Sequence, residues 1–212
     1  MMLHPCRLFL TRYDVLKTGP THYGETAMGV EEEKLYSKGV EKYPISRVVL
    51  QNLFFVVWFG TGFVGMLPLQ ISGFPIVSVL YALFLGITLL FVVRKHLCTH
   101  CYYYGRMCST GWGCLSAAMF KKNSGSYQLG VTLAGITWMF ATVTPIGGTI
   151  LALVIDYSIF NLLFLIVFIL LTPVNIISHR NDCRKCKMRF VCPASMAKDD
   201  SNGETKESNT EA

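Results

Sequence analysis

Long uncharged apolar blocks alternate along the chain with short polar segments rich in Lys and Arg, and the alternation predicts the architecture. No Asp, Glu, Lys or Arg stands between Gln51 and Val93, and Asp156 is the only one between Asn123 and Ser178. A helix needs about 20 apolar residues to cross a hydrocarbon core about 30 Å thick, so each block holds two crossings. Pro68 and the Gly73-Phe74-Pro75 run break the first block, which predicts helices over residues 48–67 and 76–93. The second block, residues 128–177, carries Pro145, Gly147 and Gly148, which predict the end of the third helix. A continuous helix over residues 149–177 would be about 43 Å long at about 1.5 Å per residue. The fourth crossing is therefore expected at 157–177, with 149–156 outside the bilayer or re-entering it. The expected fold class is all-α: a polytopic membrane helix bundle of four transmembrane helices, built as two hairpins.

Composition agrees, since 52% of the 212 residues are hydrophobic and only 15% charged, which makes lipid the expected solvent. Orientation follows from the basic residues. Lys34, Lys38, Lys42 and Arg47 precede the first span, Arg94, Lys95, Arg106, Lys121 and Lys122 lie between the second and third, and Arg180, Arg184, Lys185, Lys187 and Arg189 follow the fourth. The two hairpin turns carry none, so both termini and the central loop are expected on the cytoplasmic side of the cell membrane. His4, Arg7, Arg12 and Asp14 interrupt residues 1–17, which predicts no secretory signal. Met28 opens an amphipathic stretch leading into the first span and is a second candidate start, one that would exclude Cys6. The expected organisation is a cytoplasmic segment over 1–47, a membrane domain over 48–193, and a polar, disordered tail over 194–212.

Seven of the eight cysteines fall in two clusters. The first lies in loop 94–123, where Cys98, Cys101, Cys108 and Cys114 have the spacing C-x2-C-x6-C-x5-C; the second lies in arm 179–193, where Cys183, Cys186 and Cys192 have C-x2-C-x5-C. Each cluster begins shortly after a helical hairpin, so the chain reads as two parallel helix-helix-arm units, the pattern of a diverged duplication. Closely spaced cysteines in a reducing compartment ligate metal or cycle redox state more often than they form structural disulfides. Two intervening residues let both thiolates reach one ion or cluster, a geometry shared by zinc and iron–sulfur sites. All seven are candidate metal ligands, with His96, His100 and His179 as supplementary donors. The compact spacing and the Cys192-Pro193 ending point toward iron–sulfur, while knuckles taken from different arms would suit zinc.

Other features have plainer readings. Tyr102, Tyr103, Tyr104 and Trp112 read as interface aromatics, with shielding of a cluster as the alternative. Gly105, Gly111 and Gly113 read as tight turns around a ligand site. Asp156 reads as a solvated residue at a helix start on the outer boundary, and the basic residues of the second arm read as topology determinants and contacts for anionic lipid. No nucleotide-binding glycine loop, H-E-x-x-H or G-x-S-x-G motif is present, and nucleic acid is not an expected partner.

The strings CTHCYYYGRMCSTGWGC and CRKCKMRFVCP resemble those of small multi-pass membrane proteins of archaea and other anaerobic prokaryotes, over residues 43–193. That family brings no established activity. Locally, GRMCSTGWGC is similar to an element of membrane-bound polyferredoxin-type electron carriers, with a longer gap between Cys108 and Cys114 and Leu115 in place of a proline. The resemblance implies electron transfer to or from a membrane or cytoplasmic redox partner. The function expected is thus a membrane protein binding an iron–sulfur cluster or zinc through cytoplasmic cysteines. A noncatalytic zinc-stabilised scaffold and a thiol-based redox sensor are the alternatives.

Overall fold

The computed structural model describes residues 35–198. Five helices form it: α1 (Ile45–Gly65), α2 (Ile76–His100), the short α3 (Trp112–Met119), α4 (Tyr127–Ile155) and α5 (Ile159–Arg184). Among the described residues there is no strand, only two isolated bridges. α1, α2, α4 and α5 are long and apolar enough to cross a membrane. α1 packs against α4 and α5, and α2 packs against α1 and α4. The outside of the bundle is apolar: Leu53, Val56, Leu80, Leu83, Val154 and Phe160 are all exposed. Such a continuous apolar surface suits hydrocarbon and would be a liability in water.

The interior is aromatic on one side and small on the other. Trp58 stacks on Phe168 with centroids 5.3 Å apart and donates its indole N–H to Thr172 Oγ1 at 3.2 Å. Facing α4, Gly62 and Gly65 leave room for Pro145 and Thr149: a Cβ on Gly62 would lie 2.9 Å from the Pro145 ring. Small residues at such crossings let helix backbones approach closely, which is the main source of packing energy in lipid.

The second apolar block folds differently from the expectation. The third helix does not end at Pro145; it runs unbroken to Ile155, so residues 149–155 are its last two turns. Proline removes the hydrogen bond to the carbonyl four residues earlier. That carbonyl, on Ala141, instead accepts the buried Tyr81 hydroxyl at 3.0 Å, the kind of replacement that makes proline tolerable in a membrane helix. The chain reverses at 156–158, and Asp156 is exposed there.

Two helices also outrun the expected spans: α2 continues to His100 and α5 to Arg184. The cysteine arms therefore begin on helices. In α2 one π-helical stretch, Thr88–Val92, interrupts the α geometry.

All three basic segments meet at one end of the bundle. Arg47 at the start of α1 forms a two-pronged ion pair with Asp182 near the end of α5, Nε to Oδ1 and Nη2 to Oδ2, both at 2.9 Å. Arg47 also donates to Ser178 Oγ at 2.7 Å, and Ser178 donates to Gln51 at 2.9 Å. At the opposite end Gly148 abuts Met66 and Ser78 Oγ donates to the Phe63 carbonyl. Past Cys192 the chain packs back on the second arm: Ala197 is buried and its carbonyl accepts Arg189 Nε at 2.9 Å. Residues 1–34 and 199–212, with Cys6, the two candidate starts and most of the polar tail, lie outside the described residues.

Candidate metal centre

The first arm folds on itself. Cys98 sits in the last, 3-10 turn of α2, and successive turns follow: Cys101 N–H to Cys98 O at 3.3 Å, Tyr104 N–H to Cys101 O at 3.0 Å, Arg106 N–H to Tyr103 O at 2.9 Å. The loop closes when Gly105 N–H donates to Gly113 O at 3.0 Å. Gly111 takes φ 74°, a left-handed conformation open to glycine, and a Cβ on Gly113 would land on the Tyr103 carbonyl. Both residues thus serve the tight turns that the sequence suggests. The Gly113 N–H points at Cys108 Sγ, 3.4 Å away.

In the second arm Cys183 lies in the last turn of α5, one turn after His179, and its Sγ is 3.6 Å from His179 Nε2. Two turns beyond the helix bring Cys186 N–H to Cys183 O at 3.2 Å and Cys192 N–H to Met188 O at 2.8 Å. Cys186 Sγ receives the Met188 N–H at 3.4 Å. Such N–H···S contacts stabilise thiolates and tune metal centres.

Residues 36–43 clamp the arms together. Tyr36 N–H donates to Lys187 O at 3.0 Å, Val40 N–H donates to Lys185 O at 2.8 Å, and Tyr43 N–H donates to Met107 O at 2.9 Å. Tyr103, expected at the bilayer interface, is instead 2% exposed. Its hydroxyl donates to Val40 O at 2.6 Å and accepts the Lys187 N–H at 3.2 Å. Cys101, Cys108 and Cys186 pack around the Tyr43, Val48 and Tyr103 cluster, so thiols of both arms share one apolar nucleus.

The electrostatics record the same gathering. Burial pushes the Cys101 thiol well above its ordinary value, and the sulfurs of Cys98, Cys186 and Cys108 push in the same direction, against a backbone hydrogen bond from Tyr103. Burial likewise pushes Cys186 up to about 12, with Cys192 and Cys183 adding to the effect, and Cys192 also rises by burial. Burial thus favours the neutral form of these thiols.

Of the seven predicted ligands, Cys101 and Cys108 of the first arm and Cys186 of the second pack on one apolar cluster, Cys98 lies within electrostatic range of Cys101, and Cys183 and Cys192 lie within range of Cys186. Six are free thiols; Cys114 is disulfide-bonded and buried, its sulfur 3.4 Å from Met107 Sδ. Two of the histidines have other work. His96 Nδ1 accepts the Ser126 N–H at 3.0 Å, and His100 Nδ1 lies 3.1 Å from Thr99 Oγ1. Among the described residues no group of three or more His, Cys, Asp or Glu side chains is arranged to hold a metal ion.

Sequence reasoning missed two contributors, the clamp at 36–43 and the buried Arg94. For the clamp the available signal was Val40 and Tyr43 in an otherwise charged lead-in. No family model, curated protein or solved structure matches this chain.

Proposed function

We propose that the two arms together bind one thiolate-held metal centre, an iron–sulfur cluster or a zinc ion, at the cytoplasmic face of the membrane. Cys98, Cys101, Cys108 and Cys186 are its ligands. The observation that carries this reading is the placement of Cys101, a free, half-buried cysteine that shares an apolar cluster with Cys108 of its own arm and Cys186 of the other. The donor set fits either metal, being four free thiols in an apolar shell with backbone N–H groups aimed at Cys108 and Cys186. Uptake of a metal by these thiols would draw them together and release their protons, as in other sites where binding and folding are coupled.

The protein's part is to fix both arms on the ends of α2 and α5, keep water away with Tyr43 and Tyr103, and present the centre among basic residues facing the cytoplasm. An iron–sulfur cluster there would supply one-electron transfer to or from a membrane or cytoplasmic redox partner; zinc would tie the helix ends together. Anaerobic purification in detergent, with metal and acid-labile sulfide analysis and an absorption spectrum, tests the reading. Iron with sulfide and a broad visible band identifies the electron carrier, and zinc without colour identifies the scaffold. Metal-free protein with all six thiols reactive rejects both.

One observation favours a second reading. The 3.6 Å contact between Cys183 and His179 is the pairing used by reactive thiols. A thiol sensor would bind no stoichiometric metal, and its free-thiol count would fall with mild oxidant and recover with reductant.

A further inference from the structure

Arg94 is buried where its presence needs an explanation. It lies on α2 four residues before Cys98, so both side chains share one face of the helix. Along α2 the buried positions Ser78, Tyr81, Leu85 and Leu89 step by three and four. The π-helical stretch Thr88–Val92 adds a residue to the turn and brings Arg94, five positions after Leu89, to the buried side with Val93.

The guanidinium is out of water and short of partners. Arg94 is 4% exposed, and neither Nε nor Nη1 has a hydrogen-bond partner. Its neighbour is the face of Trp112, 5.3 Å from Cζ to the ring centroid, on the helix that follows Cys108. Ser116 Oγ is also buried, within hydrogen-bonding reach of the Cys98 sulfur. A basic residue that serves only to orient the chain extends its head to the interface; this one is held inside. An unpaired buried cation is costly, and the groups within its electrostatic reach are the sulfurs of Cys98 and Cys108.

We infer that Arg94 is the internal counter-ion of the centre: it holds a net-negative thiolate-bound group against Cys98 and Cys108, with Ser116 as an accessory hydrogen-bond donor. This rests on the metal-centre reading above and adds the sign of the ligand's charge. Four thiolates around a doubly charged ion or cluster core leave a net charge of about −2. In an apolar shell that charge needs a fixed cation, and Arg94 has two unpartnered nitrogens, Nε and Nη1, to offer it. Among the described residues Arg94 forms no ion pair, so the charge of the filled centre would compensate its own.

The test compares the full-length protein, purified anaerobically in detergent, with Arg94→Met and Arg94→Lys, following metal release to a chelator. Arg94→Met is expected to release metal about 10- to 100-fold faster, the usual cost of losing an outer-shell partner, while Arg94→Lys stays near wild type. If iron is present, the midpoint potential also falls in Arg94→Met and holds in Arg94→Lys, a change that a purely structural role would not produce. Should Arg94→Met fail to elute as a single species, Arg94→Gln takes its place. Equal release from wild type and the neutral variant overturns the inference and leaves the centre standing. Wild-type protein that retains no metal overturns the centre, and the inference with it.

Discussion

In the first arm the backbone holds itself: Gly105 bonds back to Gly113, Gly111 takes the left-handed turn, and Gly113 passes against the Tyr103 carbonyl. In the second arm the ties to the rest of the protein come from elsewhere in the chain, from Tyr36, Val40 and the Tyr103 hydroxyl. The two cysteine spacings are nearly the same, and both loops have turns of their own. Yet only the first is closed limb to limb by Gly105 and Gly113, while the second leans more heavily on a clamp 150 positions away, as with Lys187 Nζ donating to the Ser37 carbonyl at 3.1 Å. Equal spacing of cysteines therefore does not imply equal robustness. The first arm should withstand damage to residues 36–43, and the second should not withstand damage to the first.

The sharpest way to break this comparison is Gly113→Ala. The added carbon meets backbone that cannot yield, so a cost on the order of 3 kcal/mol or more is expected, read from thermal unfolding in detergent. Both arms should then expose their thiols to a maleimide, because Tyr103 loses its position. Gly39→Ala comes next, at about 2 kcal/mol, since its Cβ would lie 2.8 Å from Lys187 Cα and N. Here Cys186 should become reactive while Cys98 stays protected; equal exposure of the two would contradict the asymmetry.

Tyr103→Phe removes the hydroxyl that both Val40 and Lys187 use, and about 1–2 kcal/mol should be lost. Amide exchange should quicken at Lys187 more than in the loop around Gly105. The smallest effect concerns pH in the metal-free protein. Burial raises Cys186 from 9.0 to about 12, and Cys101 and Cys192 rise in the same direction, so the folded state holds these protons more tightly than the unfolded chain does. That stabilisation is complete below pH 9 and is lost as pH climbs toward about 12. A melting temperature that rises across this window would count against buried neutral thiols.

Four spans could be read from the sequence because charge is excluded from hydrocarbon and the exclusion leaves long clean blocks. The third turn could not, because Pro145 is a breaker only when its orphaned carbonyl finds no donor, and Tyr81 lies 60 positions away in sequence. The overrun of α2 and α5 has a related cause. Lipid limits how long an apolar segment must be, but nothing at the interface stops a helix from continuing through Arg94, Lys95 and His96 or through His179 and Arg180. At the site, the two clusters of thiols were legible from spacing, whereas the clamp and the burial of Arg94 were not. Arg94 carries the same letter as a topology determinant, and only the rotation introduced by the π-helical stretch turns it inward.

The most direct test of one shared centre is metal content per chain, measured side by side for wild type, Cys101→Ser and Cys186→Ser after anaerobic purification. A single site built from both arms predicts that each substitution removes the whole complement, with the other arm's cysteines still present. If Cys186→Ser keeps the wild-type metal and spectrum while Cys101→Ser loses them, the second arm is not a ligand arm and the shared centre is wrong.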